Sequence, residues 1–136
     1  MLAILLLSAA AVAAPPVFDD DQLSGSWSES VNTNATCSGE RRLTRMQLSD
    51  DHQRLAIFND RTWTSKLGVT NHFAATVTAE TEHSLTIVYD NETRHNSTGK
   101  LVEWQIVFVA PGVFRWRETS WVEGRVNGVV GIRCSP

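Results

Sequence analysis

The chain lacks the features that mark membrane proteins and nucleic-acid-binding proteins. After its first twelve residues it has no apolar run approaching the roughly 20 residues that span a bilayer. Its formal net charge is −3, and its densest basic group is Arg41-Arg42 with Arg45 nearby, so neither nucleic acid binding nor membrane insertion is expected. The 136 residues are too few for two ordinary domains.

Motifs typical of catalytic or metal-binding sites are absent from the sequence as well. No Gly-x-Ser-x-Gly elbow is present, and the four histidines stand in no recognised metal-ligand spacing. The densest titratable cluster, residues 50–52, has the composition of a solvated turn. We therefore expect a protein that is not an enzyme and needs no metal or cofactor; the catalytic alternative is a cofactorless isomerase or cyclase with Glu118 or Tyr89 as acid or base. The histidines are His52, His72, His83 and His95.

Apolar residues dominate the start of the sequence. Residues 2–12 form a run too short for a bilayer, and Ala11 and Ala13 stand at the spacing that signal peptidase requires. A cleaved signal implies a secreted, extracellular protein. The expected division is a signal peptide at residues 1–13, a short lead-in at residues 14–24 and one folded domain at residues 25–136.

Only two cysteines occur, and both follow the predicted signal. An oxidising compartment favours a disulfide, and Cys37 and Cys134 allow a single intramolecular pairing. Such a bridge would tie the region after the first strand to the last strand. Free thiols, one of them a nucleophile, are the alternative, but no histidine stands in a cysteine-protease context.

Three glycosylation sequons, each free of proline at its middle position, begin at Asn34, Asn91 and Asn96. The last two lie within the polar stretch 90–100, which predicts a solvent loop between apolar strands. The sequons favour an extracellular glycoprotein.

Short runs of β-branched and aromatic residues fill the rest of the chain, and no ten-residue stretch has a helical apolar stripe. Turn residues such as Asn59-Asp60, Ala110-Pro111-Gly112 and Asn127-Gly128 separate these runs. Short turns between successive strands predict an all-β, antiparallel up-and-down barrel of about eight strands. Candidate strands are Gly25–Val31, Arg42–Leu48, Arg54–Asn59, Thr62–Leu67, His72–Ala79, Ser84–Tyr89, Leu101–Val109, Val113–Thr119 and Val126–Arg133.

One predicted hairpin has a fully apolar inner face. A three-residue loop at 110–112 sets Phe108 opposite Phe114 and Ile106 opposite Trp116, and it turns Glu118 inward as the one acidic side chain expected inside the barrel. On an earlier strand, Ala75 and Ala79 share a face with Phe73 and Val77, and these small side chains leave room for a ligand. The candidate ligand-binding residues are Phe73, Val77, Tyr89, Trp104, Ile106, Phe108, Phe114, Trp116 and Glu118.

The opening Gly25-Ser26-Trp27 and the late Arg133 resemble the marks of lipocalin-like barrels, in the wider calycin group. The resemblance implies that residues 25–136 form a cup for a small hydrophobic molecule. It also implies that Gly25, Trp27 and Arg133 are structural, with the tryptophan closing the bottom of the barrel beneath the arginine. The lead-in would then cross this closed end.

Two further hypotheses remain open. The run Leu23-Ser24-Gly25-Ser26-Trp27 also resembles the opening of avidin-type biotin binders, although Ser28-Glu29 replaces their asparagine and Tyr89 lies too far along the chain. Alternatively, a secreted glycoprotein could bind a cell-surface or secreted protein through its loops, with Trp63 and Trp121 as an exposed patch.

Overall fold

The computed structural model describes Ala14 and residues 16–31, 36–38, 43–65 and 68–135. The predicted signal peptide and Asn34 lie outside the described residues. Within them, no helix has the length and apolar character needed to cross a membrane.

Eight antiparallel strands close into one barrel, each hydrogen-bonded to the next in sequence and the last to the first. This arrangement confirms the predicted up-and-down barrel. The strands are β1 Ser26–Val31, β2 Leu43–Leu48, β3 Arg54–Ser65, β4 Gly68–Thr81, β5 Ser84–Tyr89, β6 Trp104–Ala110, β7 Val113–Glu118 and β8 Val129–Ser135, preceded by a 3-10 helix at Asp20–Gln22.

The predicted pairing of β6 with β7 is confirmed, but the turn differs. Phe108 pairs with Phe114, and farther along the hairpin Trp104 pairs with Glu118. The loop has two residues rather than three, because Ala110 pairs with Val113 and an irregularity before Ala110 absorbs the extra residue. The bulge keeps the apolar side chains on the inner face.

Two expectations for β3 and β4 are wrong. Asn59-Asp60 is not a turn: β3 runs through it, with a register irregularity between Phe58 and Trp63. The part of the predicted Thr62–Leu67 strand that the structure describes, residues 62–65, is the second part of β3. The Asn59 side chain accepts a hydrogen bond from Thr44 Oγ1 at 2.8 Å, which satisfies it within the barrel wall. A second bulge, after Val77 in β4, leaves Ala79 exposed rather than on the inner face.

The predicted disulfide is present. Cys37 and Cys134 are bonded with their Cα atoms 5.3 Å apart, across a sequence separation of 97 residues. The bridge joins the β1–β2 connection to β8, next to the seam where first and last strands pair. Closing a loop of this length stabilises the fold by roughly 3–5 kcal/mol in the chain-entropy model.

The closed end of the barrel is built around Trp27, whose side chain is fully buried. The Arg133 guanidinium carbon lies 5.0 Å from the centroid of its ring, and the indole N–H donates to the Leu23 carbonyl at 3.0 Å. Arg133 Nη2 donates to the carbonyl oxygens of Asp21 and Gln22, at 2.8 and 2.6 Å. The stack implied by the lipocalin resemblance is therefore present, and it holds the lead-in across this end.

His52 fastens the lead-in a second time. Its Nδ1 lies 2.8 Å from Glu80 Oε2 and its Nε2 lies 2.7 Å from Asp20 Oδ1. The Val17 amide donates to Glu80 Oε1 at 2.6 Å. His52 is only 8% exposed, so the expectation of a solvated turn is wrong for this residue: its partners come from the lead-in and β4, far away in sequence.

Both charged groups of this contact have shifted pKa values. The hydrogen bond to Glu80 raises the pKa of His52 above its ordinary value of 6.5, against the opposing effect of burial. Burial disfavours the Glu80 carboxylate, but hydrogen bonds from the Val17 amide and His52 outweigh it and hold the pKa below 4.5. The contact is therefore strongest between these two ordinary values, where both groups are charged.

The two ends of the barrel differ in their connections. At the closed end the turns 49–53, 82–83 and 111–112 are short. At the open end, β5 reaches β6 through residues 90–103 and β7 reaches β8 through residues 119–128. The long connections of the barrel therefore lie around one mouth.

Gly131→Ala should destabilise the protein by about 2 kcal/mol or more, since overpacking a tight core costs this much. A Cβ at Gly131 would lie 2.2 Å from two carbons of the Phe114 ring, its cross-strand partner. Chemical denaturation of the wild type and the variant measures the loss.

Val130→Ala serves as the control for this substitution, because it changes the neighbouring residue of β8 without adding an atom next to Phe114. The double variant Phe114→Leu with Gly131→Ala should recover part of the lost stability. An unchanged midpoint for Gly131→Ala would contradict the packing described here.

His52→Asn should lower stability most between about pH 4.5 and pH 6.5, because the raised pKa of His52 gives a contribution that is fully present below 6.5. This contribution fades as the pH rises through the folded pKa of His52. Asparagine tolerates the positive φ of 57° at this position. Urea unfolding between about pH 4 and pH 9 gives the difference in free energy from the wild type.

His95→Asn, the same substitution at an exposed histidine, is the matched control. A stability gap for His52→Asn that stayed constant across the whole range would contradict the ionic contact.

Candidate ligand site in the barrel lumen

The closed half of the lumen is filled with side chains. Phe18 of the lead-in lies 5.6 Å from Phe108, and Trp27 lies 5.0 Å from Phe114, measured between ring centroids. Ile106 is fully buried beside them. This half is a packed hydrophobic core that offers no room to a ligand.

Towards the open end the inner side chains are only partly covered. Phe73, Tyr89, Trp104 and Val129 pack against the core cluster, yet each keeps part of its surface accessible. Because these side chains face inward, their uncovered surface borders the lumen. The open half of the barrel is thus the part in which a small molecule could be enclosed.

Aromatic rings form a continuous wall from the core to the mouth. Phe114, Trp116, Trp104 and Trp121 contact one another in turn, edge to face, with successive centroids 6.0, 6.5 and 5.8 Å apart. The Arg125 guanidinium carbon lies 4.9 Å from the Trp121 ring centroid at the rim. The wall presents large rigid apolar surfaces to the lumen, among them the rings of Trp104 and Trp116.

Glu29 is an acidic side chain in this apolar surrounding. It shares the inner face of β1 with Trp27, and its Oε1 accepts a hydrogen bond from Trp116 Nε1 at 3.3 Å. A carboxylate can accept about four hydrogen bonds, so most of its capacity is unused by the described residues. Burial raises the pKa of Glu29, while the Trp116 hydrogen bond opposes this shift.

Tyr89 contributes the second polar group of the lumen. Its ring centroid lies 5.7 Å from that of Phe73, and its hydroxyl makes no hydrogen bond to any described residue. Burial raises the pKa of Tyr89, and the negative charge of Glu29 raises it further. We call Glu29, Phe73, Tyr89, Trp104 and Trp116 the lumen site.

Arg94 and Glu92 form an ion pair at the mouth. Arg94 Nε and Nη2 donate to Glu92 Oε1 and Oε2, at 2.8 and 2.7 Å, and these bonds lower the pKa of Glu92. Glu118 pairs with Trp104 and accepts a hydrogen bond from Ser120 Oγ at 3.2 Å. Glu118 is therefore at the rim, and Glu29 lies deeper, contrary to the expectation that Glu118 is the one acid inside the barrel.

The β5–β6 connection is the largely exposed loop that its composition predicted, and its own hydrogen bonds order it. Arg94 carbonyl accepts from the Val102 amide at 3.0 Å, and His95 bridges to Leu101. Asn96 Oδ1 accepts from the Thr98 amide at 2.9 Å and closes the tip of this small hairpin. Two sequons therefore lie in the connection beside the open mouth.

The structure divides the predicted ligand-binding residues into two groups. The partly accessible ones border the open half, and the buried ones belong to the packed half or to the boundary between the halves. The first group is Phe73, Val77, Tyr89, Trp104 and Glu118; the second is Ile106, Phe108, Phe114 and Trp116.

Glu29 is the residue of the lumen site that the sequence analysis missed. It shares the parity of Trp27 in the predicted first strand, so strand alternation alone could have placed it inside. Its partner Trp116 lies 87 positions away, and only the closure of the barrel brings the two together.

Trp121, expected in an exposed patch, packs edge to face on Trp104 and is only partly accessible. The side chain of Trp63 lies outside the described part of the chain.

A surface concavity of 480 Å³ lies outside the closed end, between the lead-in and the β6–β7 turn. Its cationic side chain, Arg133, is held by the carbonyls of Asp21 and Gln22 and stacks on Trp27. This concavity is therefore part of the closure of the barrel. No cluster of potential metal ligands occurs among the residues that the structure describes.

Trp116→Phe should raise the pKa of Glu29 further, because the indole N–H that favours the carboxylate is removed while the ring packing is largely kept. Carboxyl carbon chemical shifts of the glutamates, followed by NMR over a pH titration, measure the change. Trp104→Phe is the control, since no described hydrogen bond joins its indole to Glu29. A pKa of Glu29 that fell in Trp116→Phe would contradict this assignment.

No protein-family model matches the chain, and neither the curated proteins nor the solved structures contain a significant match to it.

Proposed function

We propose that the chain is a secreted carrier that holds a small hydrophobic molecule in the open half of its barrel, without covalent chemistry. One observation carries this proposal: the inner side chains are dry and packed at the closed end and partly accessible at the open end. A barrel that served only as a scaffold would have no need of an accessible aromatic lumen.

The lining of the lumen matches an apolar ligand with a polar end. Phe73 and Trp104 offer ring surface, whose burial is worth about 25 cal/mol per Å² before the costs of association. Glu29 and Tyr89 offer unsatisfied polar atoms that fix the orientation of the ligand. Ligand sites of carriers combine these two properties.

A calycin, lipocalin-like relationship belongs to the same proposal. It is supported by the closed eight-stranded barrel and by the stack of Arg133 on Trp27. Secretion and glycosylation at the sequons are likewise proposed, with support from the disulfide. Asn91 and Asn96 would then carry glycans beside the mouth rather than over the barrel wall.

Binding of a partner protein through the loops is the competing function. It would need an exposed aromatic patch, whereas Trp121 packs onto the wall of the lumen through Trp104. This packing favours a role for Trp121 at the mouth of a ligand cup.

Trp104→Ala should weaken binding of the neutral apolar dye Nile red at least about tenfold while leaving the fold intact, because a lumen ring is lost without opening the closed-end core. Trp27→Ala should instead lower the melting temperature, since its fully buried ring holds the closed end together. Dye fluorescence titration and thermal unfolding give the two readouts.

Val109→Ala is the matched control for the dye titration, because this residue of β6 is 54% exposed on the outside. Equal affinity of the wild type and Trp104→Ala would show that the dye does not bind in the lumen. Native mass spectrometry of the protein secreted from eukaryotic cells, before and after organic extraction, would reveal a natural ligand as a small mass lost on extraction.

A further inference from the structure

The lumen site leaves two polar groups without adequate partners in an aromatic surrounding. Glu29 accepts one hydrogen bond, at 3.3 Å, from Trp116, and the Tyr89 hydroxyl has no partner among the described residues. Covering a polar group without giving it a partner costs free energy. Glu29 and Tyr89 are both still partly accessible in the empty barrel, and a bound ligand would cover them. A ligand that supplies the missing bonds avoids this cost, and a purely apolar ligand does not.

We propose that the ligand carries an organic ammonium group, seated against the Glu29 carboxylate and the Tyr89 hydroxyl among the rings of Trp104, Trp116 and Phe73. This inference extends the proposed carrier function. An ammonium has three N–H donors and no acceptor, which complements a carboxylate and a phenol oxygen that lack donors. The faces of tryptophan, tyrosine and phenylalanine also attract cations.

The charges around the site favour a cation over an anion. Glu118 adds a second carboxylate at the rim, opposite Trp104. Arg94 acts through its charge on Tyr89 and Glu118, and its Nε and Nη2 donate to Glu92. A ligand carboxylate would meet the acids Glu29 and Glu118, while Arg94 is paired with Glu92 and Arg125 stacks on Trp121 at the rim.

The neighbouring strands add no described competitor for Glu29. The inner residues of β2 are Thr44, Met46 and Leu48, and those of β8 at this level are Val129 and Gly131. Arg133 is held at the closed end by the lead-in carbonyls. Among the described residues, Glu29 is thus left to face Tyr89 from β5 and the Trp116 indole from β7.

Binding also moves a proton. Burial favours the protonated form of Glu29 in the empty barrel, and an ammonium favours the carboxylate. Where Glu29 is protonated, binding releases its proton to solvent, while the ammonium keeps its three. Amine affinity therefore rises with pH until Glu29 is ionised in the empty barrel, and it falls again only when the amine itself loses its proton.

The test compares 2-phenylethylamine with its neutral counterpart 2-phenylethanol as competitors of Nile red. The wild type should bind the amine at least about tenfold more tightly than the alcohol, with affinity for the amine alone rising with pH. In Glu29→Gln, which keeps the side-chain shape, this preference should fall to about one. Glu82→Gln, the matched control at an exposed position in a closed-end turn, should keep it.

Each other outcome is informative. If Nile red binds and the amine has no advantage over the alcohol, or if Glu29→Gln keeps the preference, the ammonium assignment is overturned while the carrier proposal stands. Loss of the preference in the variant Glu118→Gln alone would overturn it too, by placing the cation at the rim. If neither the dye nor either competitor binds the wild type, the carrier proposal itself fails. Because the preference is a ratio within one variant, a modest loss of stability does not obscure it.

Discussion

The contact on which the rest of the structure depends is the stack of Arg133 on Trp27. It lies where β1 and β8 pair to close the barrel, and the same guanidinium holds the lead-in through two carbonyl oxygens. The Trp27 ring in turn packs on Phe108 and Phe114, the core of the β6–β7 hairpin. Closure of the sheet, sealing of one end and packing of the core thus share one pair of side chains.

The two ends of the barrel differ in how tightly they are packed. At the closed end, hydrogen bonds from the lead-in, the buried His52 and the short turns leave little room for movement. At the open end, long connections surround the mouth, and the inner side chains are incompletely packed. Stability comes from one half of the barrel, so the other half can carry polar groups that a packed core would exclude.

Strand alternation and turn chemistry allowed the sequence to predict the barrel, the β6–β7 register and the disulfide. These features follow from local patterns, or from there being only two cysteines. The partners of His52 could not be predicted, because Glu80 and Asp20 reach it only after the sheet has closed. The continuity of β3 through Asn59 could not be predicted either, since the side-chain oxygen of Asn59 accepts its hydrogen bond from Thr44 on another strand. In the candidate site, Phe73 and Trp104 followed from parity, whereas the depth of Glu29 required its contact with Trp116.

The position of Glu29 is hard to explain by stability alone. A carboxyl group in an aromatic lumen costs free energy unless it is paired, and the indole of Trp116 is its only described donor. A leucine or valine at this position would fill the same wall without that cost, as Met46 on β2 and Ile57 on β3 do. The acid lies on the inner face of the barrel, and beside it the Tyr89 hydroxyl has no partner among the described residues. Two such costs on one accessible surface are better explained by a ligand that offsets both than by packing.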